Sequence, residues 1–255
     1  MVKRVASAAN KFSDVHQNMQ GLFNYLSLDF RLAGQNLSPQ FPAILVNNNP
    51  PSLTLRRALV TESFFLCQDV LANVPVDRLI VGKDGSGLPG CPTNKARPTL
   101  TLWNNYVQSN LGYPFKAFVY DIVSKNGIYV RVQNIVDTGS EIRLMLASPQ
   151  VFSQTLHSAS NSVYLIEELE FKRNNDSLSV TLVNRDVSYK IAFNIENVSF
   201  RAVVGNSIME TFNANNNWTQ LDAIETSVQF KRSYLGDSYS NSLVFRFYPR
   251  NIMSN

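Results

Sequence analysis

Apolar residues near the start of the chain recur at alternating spacings of three and four. They are Val5, Ala8, Phe12, Val15, Met19, Leu22 and Leu26, with polar residues between most of them. This spacing predicts an amphipathic helix of about six turns with one narrow apolar stripe. The stripe either packs on the helix's own domain or docks on a neighbouring subunit, as the seam of a coiled coil does. In the second case the intersubunit arm would use Val5, Phe12, Val15, Met19, Leu22 and Leu26.

The apolar period then changes to two, first at Leu26 to Leu32 and again in "PTLTLW" from Pro98. Alternation of this kind predicts strands that bury one face. Between these segments, proline and glycine dominate. "NNNPP" at Asn47–Pro51 predicts a loop, because two prolines remove two backbone donors. "GKDGSGLPGCP" at Gly82–Pro92 predicts a long surface loop and lacks the spacing of a phosphate-binding loop.

Strand patterns fill the rest of the chain. Two alternating segments around Lys125-Asn126-Gly127 predict a hairpin with Asn-Gly at its turn. Further strand patterns follow, with turn residues between them, at 169–171, 178–182, 187–195, 198–204, 228–230 and 243–247. Short antiparallel strands at near-regular intervals are typical of a sandwich or a barrel. We expect a mainly β fold, an antiparallel jelly-roll-like sandwich with an N-terminal amphipathic helix. The expected division is an arm at 1–35 and one β-sandwich domain at 36–255.

One short motif raises the question of catalysis. "DTGS" at Asp137–Ser140 resembles the signature of aspartic proteases, and the size of the lobe resembles the retropepsin-like branch. "VVG" at Val203–Gly205 is similar to the apolar-apolar-glycine segment that packs beneath the catalytic loop in that family. The resemblance implies a homodimer in which Asp137 shares a proton with its mate. Thr138 would brace the loop and Gly139 would allow a close backbone approach.

The same four residues also fit a hairpin turn. Asp137 would begin the turn, Gly139 would take a positive φ, and "EIRLML" would be the returning strand. The chain has no second DTG, and no glycine lies between Gly139 and Gly205, where the family keeps a flexible flap. We therefore expect a hairpin turn and no catalytic residue, with Asp137, Thr138 and Gly139 as the catalytic set of the alternative.

Cysteine and histidine content gives no other site. Cys67 and Cys91 form no CxxC pair, and His16 and His157 are far away in sequence. We therefore expect no metal and no cofactor. Cys67 lies in the apolar run "SFFLCQDV" and is expected to be a small buried hydrophobic residue. No run of residues is apolar enough to span a bilayer or to serve as a signal peptide, so no membrane contact is expected.

Charge is low for a globular protein, with 16% charged residues and a net charge of +4. The basic residues form four separated pairs, Lys3-Arg4, Arg56-Arg57, Lys172-Arg173 and Lys231-Arg232. A nucleic-acid-binding protein usually concentrates such residues on one face. We expect solvated pairs, and binding of nucleic acid stays a weaker possibility.

These features together favour a structural assembly protein, a virion component such as a capsid, collar or tail subunit that is synthesised in a host cytoplasm. Its expected partners are copies of itself and other structural subunits. The first alternative is the homodimeric aspartic protease. The second is a carbohydrate- or nucleic-acid-binding β module, with Trp103, Tyr106, Tyr113 or Trp218 as stacking platforms.

Overall fold

The computed structural model describes residues 20–24, 26–83, 93–234 and 237–249, and of residues 93–94 and 231–241 only the backbone. Helix α1 covers residues 20–24 and 26–32, and α2 covers Thr93–Tyr106 and continues into a π-helical turn at Val107–Leu111. A 3₁₀ turn lies at Trp218–Gln220. The strands are β1 Ile44–Asn48, β2 Pro51–Ala58, β3 Phe64–Leu66, β4 Pro75–Gly82, β5 Phe115–Asp121, β6 Asn126–Asp137, β7 Ile142–Val151, β8 Asn161–Tyr164, β9 Ile166–Asn174, β10 Ser177–Leu182, β11 Val187–Phe193, β12 Ile195–Val204, β13 Ser207–Met209, β14 Ala223–Tyr234 and β15 Asp237–Phe247.

The chain forms two compact units. Unit 1 contains Met1–Gln35, Pro42–Arg56 and Glu168–Asn255, and unit 2 contains Asn36–Phe41 and Arg57–Glu167. All described strand pairs within the sheets are antiparallel, which confirms the mainly antiparallel β prediction. The assignment of 36–255 to one folding domain stays a prediction.

Unit 2 is built on a closed six-stranded barrel. Its strand order is β3-β4-β7-β6-β5-β8, and β8 pairs back onto β3. Alternate residues of each strand point inward because successive side chains of a strand lie on opposite faces. These inward residues include Phe64, Leu79, Ala117, Val130, Leu144 and Val163, all at most 1% exposed. The strand pattern predicted a sandwich, whereas the strands of unit 2 close into a barrel.

Helix α2 packs on the apolar core of the barrel. Ala96, Leu100, Trp103 and Val107 are buried in that core at helical spacing. The Trp103 ring lies 4.9 Å from the ring of Phe64, and its indole N–H donates to the carbonyl of Glu62 at 2.9 Å. The strand predicted for "PTLTLW" is therefore wrong. A run with apolar residues at both two- and three-residue spacing fits either element, and packing on the barrel selects the helix.

Unit 1 contains two sheets. One has the order β1-β2-β9-β10-β11, and the other has the order β13-β12-β14-β15. One face of the second sheet is buried, including Phe200, Ile224, Val228 and Phe230. Phe247 lies on this face too, directly opposite Ile224.

Helix α1 belongs to unit 1 and contributes to its core. Leu22, Leu26 and Phe30 are fully buried at four-residue spacing, and the Phe30 ring stacks on Phe247 at 4.8 Å. Leu28 is 60% exposed. The strand predicted from Leu26 to Leu32 is therefore wrong, because the chain keeps its helical period there and hides only every fourth residue.

The connections refine two loop predictions. β1 and β2 form a hairpin in which Asn48 pairs with Pro51, so the predicted loop shrinks to Asn49-Pro50. The β5–β6 hairpin is confirmed, but its turn comes earlier than predicted. Asp121 pairs with Asn126 and Tyr120 with Gly127, so the Asn-Gly pair begins β6. Of the predicted loop Gly82–Pro92, residues 84–92 lie outside the described part of the chain.

Candidate functional site

The "DTGS" segment forms the turn between β6 and β7, as expected. Asp137 pairs with Ile142, and an oxygen of its carboxylate accepts the N–H of Gly139 at 2.8 Å. The N–H of Thr138 donates to the carbonyl of Glu141 at 2.9 Å, and the Glu141 N–H donates to the Thr138 hydroxyl at 3.0 Å. Gly139 has φ 88°, a conformation that glycine adopts without steric cost. Aspartate fits the first position because its side chain bonds the backbone two residues later.

The second segment of the protease resemblance belongs to the other unit. Asp137 belongs to unit 2, whereas Val203–Gly205 belongs to unit 1, where it ends β12 and enters the turn to β13. The protease resemblance implies that these two segments pack on each other. Within neither unit does such packing occur, because each unit contains only one of the two segments. In unit 2, the charged neighbour of Asp137 is Arg97, whose Nε lies 3.5 Å from Asp137 Oδ2.

A second polar cluster joins residues that are far apart in sequence. Asp69 accepts the backbone N–H of Ser158 at 2.7 Å and its hydroxyl at 2.9 Å, and His157 Nδ1 lies 3.2 Å from Asp69. The hydrogen bond from the Ser158 backbone and those from the His157 and Ser158 side chains lower the pKa of Asp69. Because the Ser158 hydroxyl donates to Asp69, the cluster holds a loop and does not form a serine–histidine nucleophile pair. Sequence reasoning missed this cluster because 88 positions separate Asp69 from His157.

Only the last part of the N-terminal apolar stripe, from residue 20 onward, lies within the described residues. Its last two members, Leu22 and Leu26, are fully buried within the chain. Their neighbour Phe23 stays 43% exposed and lies 5.8 Å from the Phe245 ring and 5.6 Å from the Phe247 ring. For 20–32 the structure therefore fits the helix packed on its own domain. The arm residues Val5, Phe12, Val15 and Met19 lie outside the described residues.

The proposed stacking aromatics are mostly buried. Trp103 is fully buried, and Trp218 is 3% exposed. The Trp218 ring lies so close to Gly34 that a Cβ there would be only 2.2 Å from it. Tyr106 packs against the barrel core, and Tyr113 is 39% exposed. Only Tyr113 of the four offers an exposed ring.

Three of the basic residues expected to be solvated form ion pairs, and of these Lys172, paired with Glu170 at 2.7 Å, stays half exposed. Arg56 Nε lies 2.7 Å from Glu168 Oε2, and both side chains are nearly buried at 12% and 11% exposure. Arg57 Nη2 lies 2.6 Å from Glu167 Oε2. Arg56-Arg57 is therefore neutralised by acidic partners, and the prediction that this pair is solvated is wrong.

Cys67 is buried, as predicted, but not as a free thiol. It is 8% exposed and disulfide-bonded. The chain has one other cysteine, Cys91, which lies outside the described residues.

The sheet edge formed by β15 is available for contact. β15 is the last strand of its sheet and pairs with β14 from Phe247 opposite Ile224 to Asp237 opposite Tyr234. Within the described residues, nothing pairs with its other edge. An edge strand presents unpaired N–H and C=O groups to which another chain can add.

The β14–β15 hairpin also extends beyond its sheet. β12 pairs with β14 only as far as Phe230. The remaining residues of β14, Lys231–Tyr234, pair only with residues 237–240 of β15 among the described strands. The hairpin therefore projects as a two-stranded ribbon.

Neither a metal cluster nor a membrane helix is found in the described ranges. No three His, Cys, Asp or Glu side chains there come together as a metal site. None of the helices described is long and apolar enough to cross a membrane.

Comparison of the chain with protein-family models, with curated proteins and with solved structures gives no match.

Proposed function

We propose that this chain is a structural assembly protein without catalytic activity, a virion component such as a capsid, collar or tail subunit. The observation that carries the proposal is the open edge of β15 together with the projecting β14–β15 hairpin. A monomeric protein usually shortens, charges or covers such an edge, because it invites pairing with another chain. A subunit that joins copies of itself or other structural subunits uses the same edge as its contact.

The virion assignment rests on composition and on an analogy of fold. We propose that the two sheets of unit 1 form a jelly-roll-like sandwich, the architecture expected from the strand pattern. In support, the Asn48 side chain in β1 accepts the backbone N–H of Phe200 in β12 at 3.0 Å, and Val46 bridges to Phe212. We propose that the subunit is synthesised in a host cytoplasm and that the segment before residue 20 forms the intersubunit arm.

The first measurement is the mass of the purified protein by light scattering on a sizing column, followed by negative-stain imaging. Rings, shells or oligomers that grow with concentration support assembly. A stable monomer at all concentrations contradicts assembly by the protein alone, and mixing with other virion proteins then tests assembly on partners.

A charged residue on β15 tests whether the open edge of this strand forms the intersubunit contact. Val244 is 58% exposed on β15, so Val244→Lys should block strand addition and leave the fold intact. We expect the oligomer to dissociate into smaller species at equal concentration. The matched control is Val151→Lys, because Val151 is 50% exposed at the end of β7 in unit 2. Equal dissociation in both variants, or in neither, contradicts the role of β15.

The alternative function is a homodimeric aspartic protease that uses Asp137. The DTG motif at Asp137–Gly139 favours it. It requires a discrete dimer with acid-favoured cleavage that Asp137→Asn abolishes, and an inactive wild-type dimer at acidic pH contradicts it. The carbohydrate- or nucleic-acid-binding alternative keeps Tyr113 as its exposed aromatic residue, and salt-sensitive retention on nucleic acid tests the second of these ligands.

A further inference from the structure

Unit 2 contains a half-open cavity of about 300 Å³. Its walls come from the start of β6, from β5 and from the segment that follows β7 and leads to β8. Cavities of this size lie at the lower end of the range for small-molecule sites in proteins. The assembly function proposed above makes no use of this cavity.

Asn161 lines the cavity and has an unsatisfied hydrogen-bond acceptor. The residue is fully buried at the start of β8. Its Nδ2 donates to the carbonyl of His157 at 2.9 Å and to the Ser160 hydroxyl at 3.3 Å. Among the described residues, its Oδ1 has no hydrogen-bond partner. A buried polar atom without a partner is costly, so an occupant that donates a hydrogen bond to it is favoured.

The remaining lining residues define the chemistry of that occupant. The polar lining residues other than Asn161 are Asn126, Ser153 and Gln154, all neutral. Amides and hydroxyls both donate and accept hydrogen bonds, which matches the hydroxyl groups of a polyol. The apolar lining residues include Val119, Phe152 and Leu156, each at most 3% exposed. They suit the C–H face of a ring.

We propose that this cavity binds a neutral sugar of about monosaccharide size, with a ligand hydroxyl donating to Asn161 Oδ1. None of the residues that line the cavity is charged. The site therefore has no counter-charge for an ionic ligand and should reject charged sugars, which would lose their hydration without compensation.

The test titrates the full chain with glucose, galactose and N-acetylglucosamine at millimolar concentrations, followed by protein-detected NMR and calorimetry. Glucosamine and glucuronate serve as the positively and negatively charged comparators. We expect saturable binding of at least one neutral sugar and at least tenfold weaker binding of its charged comparator.

Two variants locate the binding. Asn161→Ala removes the acceptor, and we expect at least tenfold weaker binding, the loss that follows from one buried hydrogen bond. Its control is Asn184→Ala, because Asn184 also has a buried Oδ1 without a partner in the described structure but does not line the cavity. Ser153 is an exposed lining residue, so Ser153→Trp should fill the cavity and abolish sugar binding without disturbing the core. This variant tests the site if Asn161→Ala fails to fold.

Three results would overturn the proposal. The first is that no neutral sugar binds, in which case ordered water is the occupant of the cavity. The second is that binding is unchanged by Ser153→Trp, which puts the ligand elsewhere on the molecule. The third is equal binding of neutral and charged sugars, which contradicts the chemistry assigned to the lining.

Discussion

Asp69 holds a loop of unit 2 that is far from it in sequence but in direct contact with its carboxylate. It receives two hydrogen bonds from Ser158 and contacts His157. These bonds favour the carboxylate, and they lower the pKa of Asp69 below its ordinary value of 3.8. The pKa is thus lower in the folded chain than in the unfolded chain. Ionised Asp69 therefore stabilises the fold above the unfolded pKa, and that stabilisation is lost as the pH falls through the folded pKa.

The prediction concerns the pH dependence of Asp69→Asn. At neutral pH we expect the variant to be slightly less stable than the wild type, because the amide accepts these hydrogen bonds more weakly than a carboxylate. The difference should shrink as the pH falls below 3.8, where the wild-type carboxyl becomes protonated. Urea unfolding at a series of pH values measures it. A difference that stays constant through this range would mean that the charge of Asp69 contributes nothing.

The candidate site residues differ in how far sequence alone predicted them. The turn at Asp137–Ser140 was predicted because its chemistry is local: Asp137 bonds the backbone of Gly139, two residues away. The unsatisfied Oδ1 of Asn161 could not be predicted. Which atoms of an amide find partners depends on segments that only the fold brings together.

At the scale of elements, the β14–β15 hairpin carries the proposed contact, and shortening it gives a prediction. We would replace residues 232–239 by Asn-Gly, so that Lys231 opposite Ser240 closes a two-residue turn. The removed residues pair only with each other among the described strands, so we expect less than about 1 kcal/mol change in the free energy of unfolding. Assembly should be lost. Sizing and urea unfolding check the two parts, and an unfolded product would mean that the projecting ribbon supports unit 1.

Element type was predicted well for hairpins and poorly for apolar runs with mixed spacing. The β5–β6 and β6–β7 hairpins follow from turn chemistry between alternating segments. Helix α2 and the end of α1 were predicted as strands, since a short apolar run is compatible with both periods. β11 is a subtler case. A register shift beside Leu178 and Ser179 interrupts the strict alternation predicted for 187–195, and Tyr189 and Phe193 remain half exposed.

At the scale of the whole molecule, the N-terminal segment gives a prediction about assembly. Removing Met1–Met19 keeps Leu22, Leu26 and Phe30, which are fully buried, so the shortened chain should fold. If the removed segment is the intersubunit arm, its oligomers should be smaller or absent in light scattering. Assembly equal to that of the full chain would contradict the arm.

A longer deletion is the comparison for this truncation. Removing residues 1–32 also deletes three fully buried apolar side chains. Each such loss typically costs about 2–5 kcal/mol, against a total stability of about 5–15 kcal/mol. We therefore expect unit 1 to unfold, which a loss of cooperative thermal unfolding would detect. A deletion of residues 1–25 removes the fully buried Leu22 and should destabilise unit 1 for the same reason.

The sequence by itself determined the class of fold, the main hairpins and the turn at Asp137–Ser140. These features depend on side-chain periodicity and on turn chemistry, which act within a few residues. Tertiary structure decided the closure of β3 to β8 into a barrel, the division of the chain into two units and the open edge of β15. A strand's pattern specifies which face is buried but not which distant strand pairs with its edge. That choice depends on packing among segments far apart in the chain.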